Sequence, residues 1–255
     1  MQYLLIPFRV LYKLYYLIIF VFSLLLLFPI NYFLLSDPKY FPAAFNLMRW
    51  HAKAMLMVAG DFIKVVGKDN IPMEGAYFIC PNHTSYLDIF CLYSLFKKYF
   101  VFTGKKEIEK WPIFHRYYTS GMNILVDRHS KTGSLKAIKR MSKEIELGNP
   151  IVVFPEGTIS KRAPILAPFK SGAFAIAIQK QVPILPITFV TNWKLLQRGS
   201  FWFGHAGPGL AMVVIHELVQ TKGLLKNDVA LLQNQVKNAI NIPLLNNNSS
   251  LWQNR

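Results

Sequence analysis

The 255 residues predict an α/β chain: a mixed, largely parallel sheet flanked by helices, preceded by an N-terminal apolar, membrane-anchoring helical segment. Three observations carry that reading. Positions 14 to 36, the 23 residues between Lys13 and Asp37, hold no charge. Beyond Gly60, short β-rich apolar runs alternate with stretches of helical spacing, the pattern of a sheet with helices between its strands. The hydrophobic fraction, 53%, and the mean hydropathy of +0.27 are high for a soluble protein.

The apolar run reads "LYYLIIFVFSLLLLFPI". At about 1.5 Å per residue it reaches about 34 Å, enough for a bilayer core. It exceeds the apolar region of a cleavable signal, and no clear small-x-small site follows soon after. The next segment, "FPAAFNLMRWHAKAMLMVAG", mixes apolar residues with Arg49, His51 and Lys53, the composition of an amphipathic interfacial helix. Residues 1–60 are therefore expected to anchor the chain, as a spanning or re-entrant helix plus a surface helix. Arg9 and Lys13 favour a cytoplasmic N-terminus. A spanning helix would then put the main domain outside, and a re-entrant one would keep it cytoplasmic.

Residues 61–241 are expected to form the main domain, taken here in order. "FIKVV" and "AYFIC" are strands separated by the turn-rich "GKDNIPMEG". A helix runs through Leu92, then "YFVFTG" and "NILV" are strands. Leu135, Ile138, Met141 and Ile145 recur at helical spacing. "IVVF" is a buried strand, "GAFAIAI" a small-residue helix, and "VPILPITFV" and "AMVVI" strands. Pro183 and Pro186 suggest that the first of these lies at an edge or enters through a bend. Val229, Leu232, Val236 and Ile240 make a last helix, and the Asn-rich tail, 242–255, is expected to be disordered.

Charge narrows the partners. Lys plus Arg number 29 against 13 acids, a net +16. Such a surface suits polyanions: anionic lipid, phosphorylated substrate or nucleic acid. The apolar anchor and the lack of a recognised binding module argue against nucleic acid. Cys80 and Cys91 show neither metal-ligand spacing nor a disulfide framework, and are read as reduced core residues.

The chemistry concentrates in "CPNHTSYLDIF", Cys80 to Phe90. His83 and Asp88 are five apart, about 140° around a regular helix, so one helix cannot present both to one site. Ser85 followed by Asp88 resembles a helix start of the S-x-x-D type. A Ser85 cap puts His83 on the entering loop and Asp88 in the first turn, so the imidazole can fold back. Asp88 can then fix the tautomer and leave the other ring nitrogen as a base. Backbone N–H groups at the helix start would be free for an oxyanion or a phosphate. The bland alternative is that Asp88 only caps and His83 is a loop histidine.

Three further stretches follow strand ends, where α/β sites form. "VVFPEGTIS" brings Glu156, as a turn residue or a ligand. "GKKEIEKWPIF" brings Lys105, Lys106 and Lys110, and "GMNILVDRHS" brings Arg128, candidate phosphate donors or a solvated basic face.

Taken together, "NHTSYLD" (82–88), the 105–128 stretch from "KKEIEK" to "DR", "FPEGTIS" (154–160) and "VPILPI" (182–187) resemble the four ordered blocks of the membrane-bound glycerolipid acyltransferases. The resemblance is nearest the bacterial 1-acylglycerol-3-phosphate acyltransferases, and it covers about residues 60 to 190. It implies an enzyme, an O-acyltransferase moving an acyl chain from acyl-CoA or acyl carrier protein to the sn-2 hydroxyl of lysophosphatidic acid, giving phosphatidic acid. In it His83 would be the general base, oriented by Asp88. Glu156, Gly157 and Thr158 would shape the acceptor site, Lys105 or Lys106 and Arg128 would hold phosphate, and Pro183 would help define the acyl pocket. Transfer would be direct, with no metal or redox cofactor. The partners implied are membrane lipid, the thioester carrier and a lysophospholipid, at the cytoplasmic face of a membrane. Ile159 departs from the pattern, since many members carry arginine after F-P-E-G-T. Lys161 and Arg162 follow closely as possible substitutes, and an acceptor such as a lyso-aminolipid is the alternative. A non-catalytic binder of anionic lipid is the reading from another class.

Overall fold

The structure is a computed structural model and describes residues 5–110, 115–127 and 130–246. Helix α1 (Ile6–Leu34) and helix α2 (Phe41–Ala59) form an antiparallel pair. The early turns of α1 meet the late turns of α2: the Tyr12 hydroxyl donates to the Ala59 carbonyl at 3.0 Å, and Ser23 Oγ lies 2.8 Å from His51 Nε2. Helix α2 stops at Gly60, whose φ of +72° is the left-handed geometry glycine adopts without a Cβ penalty. A Cβ there would also meet Pro208 at 2.9 Å.

α2 differs from its expected interfacial role. Phe41, Ala44, Phe45, Met48, Ala52, Met55, Leu56 and Ala59 make a buried stripe at i, i+3, i+4 spacing, and this stripe belongs to the main core. His51, read from sequence as part of a polar face, is buried against α1. Residue 60 therefore marks no break in packing between an anchor and a domain. α1 is the element left outside: Phe8, Leu11, Ile18, Phe22 and Leu26 are all exposed along it. Among the described residues it is the one helix long and apolar enough to cross a membrane.

The remaining elements are strand β1 (Asp61–Val66), strand β2 (Phe78–Pro81), helix α3 (Leu87–Leu95), strand β3 (Val101–Lys105), helix α4 (His115–Thr119), strand β4 (Ile124–Val126), helix α5 (Lys131–Glu146), strand β5 (Ile151–Val152), helix α6 (Gly172–Lys180), strand β6 (Ile184–Phe189), helix α7 (Asn192–Leu195), strand β7 (Gly209–Ile215) and helix α8 (Val229–Leu245). The strands form one sheet in the order β1-β7-β6-β2-β5-β3-β4. All neighbours are parallel except β6 and β7, so the sheet is mixed and largely parallel, as expected. The tail expected from residue 242 is helical through Leu245, and positions 247–255 lie outside the described residues.

Strand alternation sorts side chains into two cores. Ile79, Phe102, Val152 and Leu185 face α2 and α3. Phe78, Val101, Ile151 and Ile184, each one residue earlier, face the layer that contributes Ala137, Phe174 and Val236. Helices thus cover both faces, and the open place for chemistry is the carboxyl edge of the parallel strands. β6 is central, between β7 and β2, so of the two alternatives drawn from its prolines the edge is excluded, and Pro183 stands where the chain enters the strand. Pro186 is accommodated because its carbonyl accepts from His216 N at 3.1 Å, while the ladder to β2 uses the neighbouring Leu185 and Ile187.

Candidate active site

β2 ends at Pro81, and the next residue steers the chain. The Asn82 side chain donates to the Phe189 carbonyl at 3.1 Å and accepts from Phe189 N at 2.7 Å, which ties the strand end to β6. Ser85 then turns the backbone. Its Oγ accepts from Leu87 N at 3.1 Å and donates to the Leu196 carbonyl at 2.6 Å. Its own N–H donates to Asp88 Oδ2 at 2.9 Å, which is the return half of a capping box, while the forward half goes to Leu87 N and not to Asp88 N.

The turn brings His83 Nδ1 to 2.9 Å from Asp88 Oδ2. Asp88 is fully buried and saturated. Oδ2 also accepts from Thr84 N, and Oδ1 accepts from Asn192 Nδ2 at 2.8 Å and Thr84 Oγ1 at 3.3 Å. A carboxylate accepting that many donors stays an acceptor, so the proton between the pair belongs on Nδ1. The imidazole stacks on Phe154, with ring centroids 3.8 Å apart, and its side chain keeps 12% exposure. Nε2 is left for chemistry.

The same saturation overturns one expectation. The N–H groups of Thr84, Ser85 and Leu87 are taken by Asp88 and Ser85 side chains, and that of Asp88 bonds the Ser85 carbonyl at 3.4 Å. These amides are not open for an oxyanion or a phosphate, because the carboxylate that orients His83 folds back onto them.

Glu156 lies past the end of β5, with its carboxylate turned inward. Oε1 accepts from His83 N at 2.8 Å and Oε2 from Ala167 N at 2.8 Å. The His83 carbonyl accepts from Ser160 N at 2.8 Å. Glu156 is thus a brace that fixes the "FPEGTIS" loop beside the histidine, and it shapes the site through backbone. Gly157 supports the loop with a φ of +73°. Burial pushes the Glu156 carboxyl up to about 7, against the two amide bonds that pull it down. Because the folded value lies above the ordinary 4.5, burying the ionised form costs stability as pH rises from about 4.5 to about 7. The wild-type chain should lose about 3 kcal/mol over that range from this group. Glu156→Gln, which can satisfy one amide only, should be less stable at low pH and flatter with pH. Melting temperatures of both chains in detergent across the range check this.

The other sequence candidates are placed as follows. Lys105 ends β3, exposed at the same carboxyl edge. Lys106 follows it, with Nζ 3.2 Å from Asp127 Oδ2. Arg128 lies outside the described residues. Pro183 is at the amino end of β6, its carbonyl accepting from Phe78 N. That is about 13 Å along the strand, at roughly 3.3 Å per residue, from Ile187, which pairs with Pro81 just before the histidine. Pro183 therefore stands at the end of β6 away from the histidine, so the acyl-pocket role expected of it concerns the chain at a distance from the thioester carbonyl.

Sequence reasoning missed two residues. Asn192, which starts α7, holds Asp88 from 104 positions away in the chain. Arg198 donates from Nη1 to the Thr158 hydroxyl and, at 3.0 Å, to the Ile159 carbonyl. Its neighbour Gln197 forms an antiparallel bridge with Ser85, so the 196–198 segment runs alongside the histidine turn and reaches the 158–159 loop. Ile159 itself is buried, and Lys161 and Arg162 are exposed. A cation that bonds the position departing from the pattern therefore comes from another part of the chain. The only signal in the sequence was the departure itself.

A family model described as Acyltransferase matches residues 62–190. The chain is 28% identical over 182 residues, 71% of it and 64% of the relative, to a putative 1-acyl-sn-glycerol-3-phosphate acyltransferase of Caenorhabditis elegans. It is 34% identical over 121 residues, 48% of it and 51% of the relative, to the 1-acyl-sn-glycerol-3-phosphate acyltransferase of Helicobacter pylori. The chain spans about half to two thirds of the length of such curated relatives. Its fold is shared with the crystal structure of the 1-acyl-sn-glycerophosphate acyltransferase of Thermotoga maritima, at a TM-score of 0.75, 22% identity and 98% coverage of both chains.

Proposed function

This chain belongs to the acyltransferase family, and we propose that it moves an acyl chain from an acyl thioester, acyl-CoA or acyl carrier protein, to the sn-2 hydroxyl of 1-acylglycerol-3-phosphate, giving phosphatidic acid. The observation that carries this reading is the His83–Asp88 pair, with Nδ1 held at 2.9 Å by a buried carboxylate. Nε2 takes the proton of the acceptor hydroxyl as its oxygen attacks the thioester carbonyl. The tetrahedral adduct collapses, the C–S bond breaks, and the departing thiolate takes the proton back from the imidazolium. Atoms and charge balance without a metal or redox cofactor.

Direct transfer fits the surroundings better than an acyl-enzyme. Ser85 Oγ is engaged on both sides. Cys80 and Cys91 are buried, and burial pushes both thiols well up, away from the thiolate a nucleophile needs.

The localisation proposed is the surface of a membrane with α1 in the lipid. α1 is packed along α2, and α2 is part of the domain core, so both ends of α1 stay against the folded domain. A helix held in this way lies along the domain, as in the re-entrant, one-leaflet arrangement, with the catalytic domain at the cytoplasmic surface.

Arg198 is the residue proposed to meet the acceptor phosphate, beside Lys105 or Lys106 and Arg128. The test is thiol release from an acyl thioester against a panel of lysolipids, including lysophosphatidic acid and a lyso-aminolipid. Lysophosphatidic acid should be the preferred acceptor. Arg198→Ala should raise its KM by roughly tenfold to a hundredfold, the worth of one charge-assisted hydrogen bond, with the thioester KM nearly unchanged. Equal effects on both substrates would remove Arg198 from the acceptor site, and preference for the aminolipid would overturn the choice of substrate.

A further inference from the structure

Away from His83, the 193–208 segment leans on the first turns of α1. Lys13 is buried there, and its ammonium donates to the carbonyls of Ser200, Phe201 and Gly204 at 3.2, 2.8 and 2.7 Å. These three bonds use the donors an ammonium has and fix the loop against the helix. The loop they fix presents "FWF" outward: Phe201, Trp202 and Phe203 are 41%, 59% and 65% exposed. Aromatic residues suit the headgroup level of a bilayer, and these stand on a loop tied to the apolar helix through Lys13.

Beside the loop is a cleft of about 560 Å³. Arg9, Lys194 and His205 line it, with Leu5 and Phe8 on the α1 side, and no acidic side chain is among its lining residues. Burial first, then the charges of Arg9, Lys13 and Lys194, hold His205 below its ordinary pKa. Asp61, which acts on the lining residue Tyr12, is buried, and burial raises its carboxyl to about 7, so it offsets only part of this charge. The cations repel one another, an arrangement that an anion from outside would relieve. Both walls mix apolar and cationic groups: α1 supplies Phe8 and Arg9, and the domain supplies Leu195, Lys194 and His205.

We propose that this cleft holds the headgroup phosphate of an anionic membrane lipid, with Phe201, Trp202 and Phe203 seated in the bilayer interface beside it. The site is separate from the acyl-transfer reading, because it is defined by binding and uses none of the residues placed around His83. It sets the depth at which the domain sits, and it attaches the chain by charge as well as by the apolar helix.

The full chain in neutral detergent is titrated with phosphatidylglycerol and with phosphatidylcholine, and bound lipid is read by native mass spectrometry. The wild type should prefer phosphatidylglycerol. The double variant Arg9→Gln, Lys194→Gln should lose about thirtyfold in that affinity, at about 1 kcal/mol per cation near the surface, with phosphatidylcholine unchanged. The pair Lys136→Gln, Lys139→Gln on α5 should change neither. An equal loss in the control pair would show diffuse charge and overturn the site. Displacement of the lipid by inorganic phosphate at matching affinity would overturn the lipid as occupant. In a second measurement, brominated acyl chains in nanodiscs should quench wild-type tryptophan fluorescence, and Trp202→Phe should remove a large part of the quenching. Unchanged quenching in that variant would place the loop outside the bilayer.

Discussion

His83→Ala is expected to lower kcat by about a thousandfold, within the range for loss of a general base, while the chain still folds. The structure separates the two effects. The imidazole gives the fold one bond to Asp88 and a stacking contact with Phe154. The residue's larger structural role is carried by its backbone, whose N–H bonds Glu156 and whose carbonyl accepts from Ser160, and alanine keeps both. Asp88 keeps four of its five donors, so no buried charge is stranded. Thiol release by the purified variant, with its circular dichroism and melting curve, checks the prediction. A rate equal to the wild type would end the assignment of His83 as the base.

What could be read from the sequence was what is local. The S-x-x-D start gave the turn that lets residues five apart meet, because a cap acts over four positions. Apolar alternation gave the strands: "FIKVV" is β1, "AMVVI" lies within β7, and "IVVF" contains β5. The misreadings arose where distant partners decide the outcome. The amphipathic pattern of α2 was read correctly, but periodicity does not say whether an apolar face meets lipid or a sheet, and here it meets α3 and the core. The helix-start amides looked free because the fold-back of Asp88 is a three-dimensional fact. The prolines of "VPILPI" left edge and entry bend both open because the pairing of β6 with β7 lies beyond them. Asn192 and Arg198 reach the site across 104 and about 40 positions, in a segment with no motif.

Asp88→Asn is the sharper test, since it changes charge and little else. Asp88→Ala would leave four backbone and side-chain donors buried without an acceptor, besides the His83 ring, and each costs roughly 1 to 3 kcal/mol, enough to prevent folding. Asparagine has a way out. Its oxygen can take the place of Oδ2 and keep His83 Nδ1, Thr84 N and Ser85 N as donors. Its amide nitrogen then faces Asn192, whose Oδ1 is buried and has no hydrogen-bond partner. A flip of the Asn192 amide supplies that oxygen as an acceptor, so the turn and the tautomer are both retained. The negative charge that steadies the imidazolium is lost. The variant should therefore melt within a few degrees of the wild type, keep both KM values, and lose about a hundredfold in kcat. Thiol-release kinetics with each substrate varied in turn measure this. A KM rise matching the fall in kcat, or a wild-type kcat, would show that Asp88 serves the turn alone, whereas a selective loss of kcat is what a carboxylate acting through His83 requires.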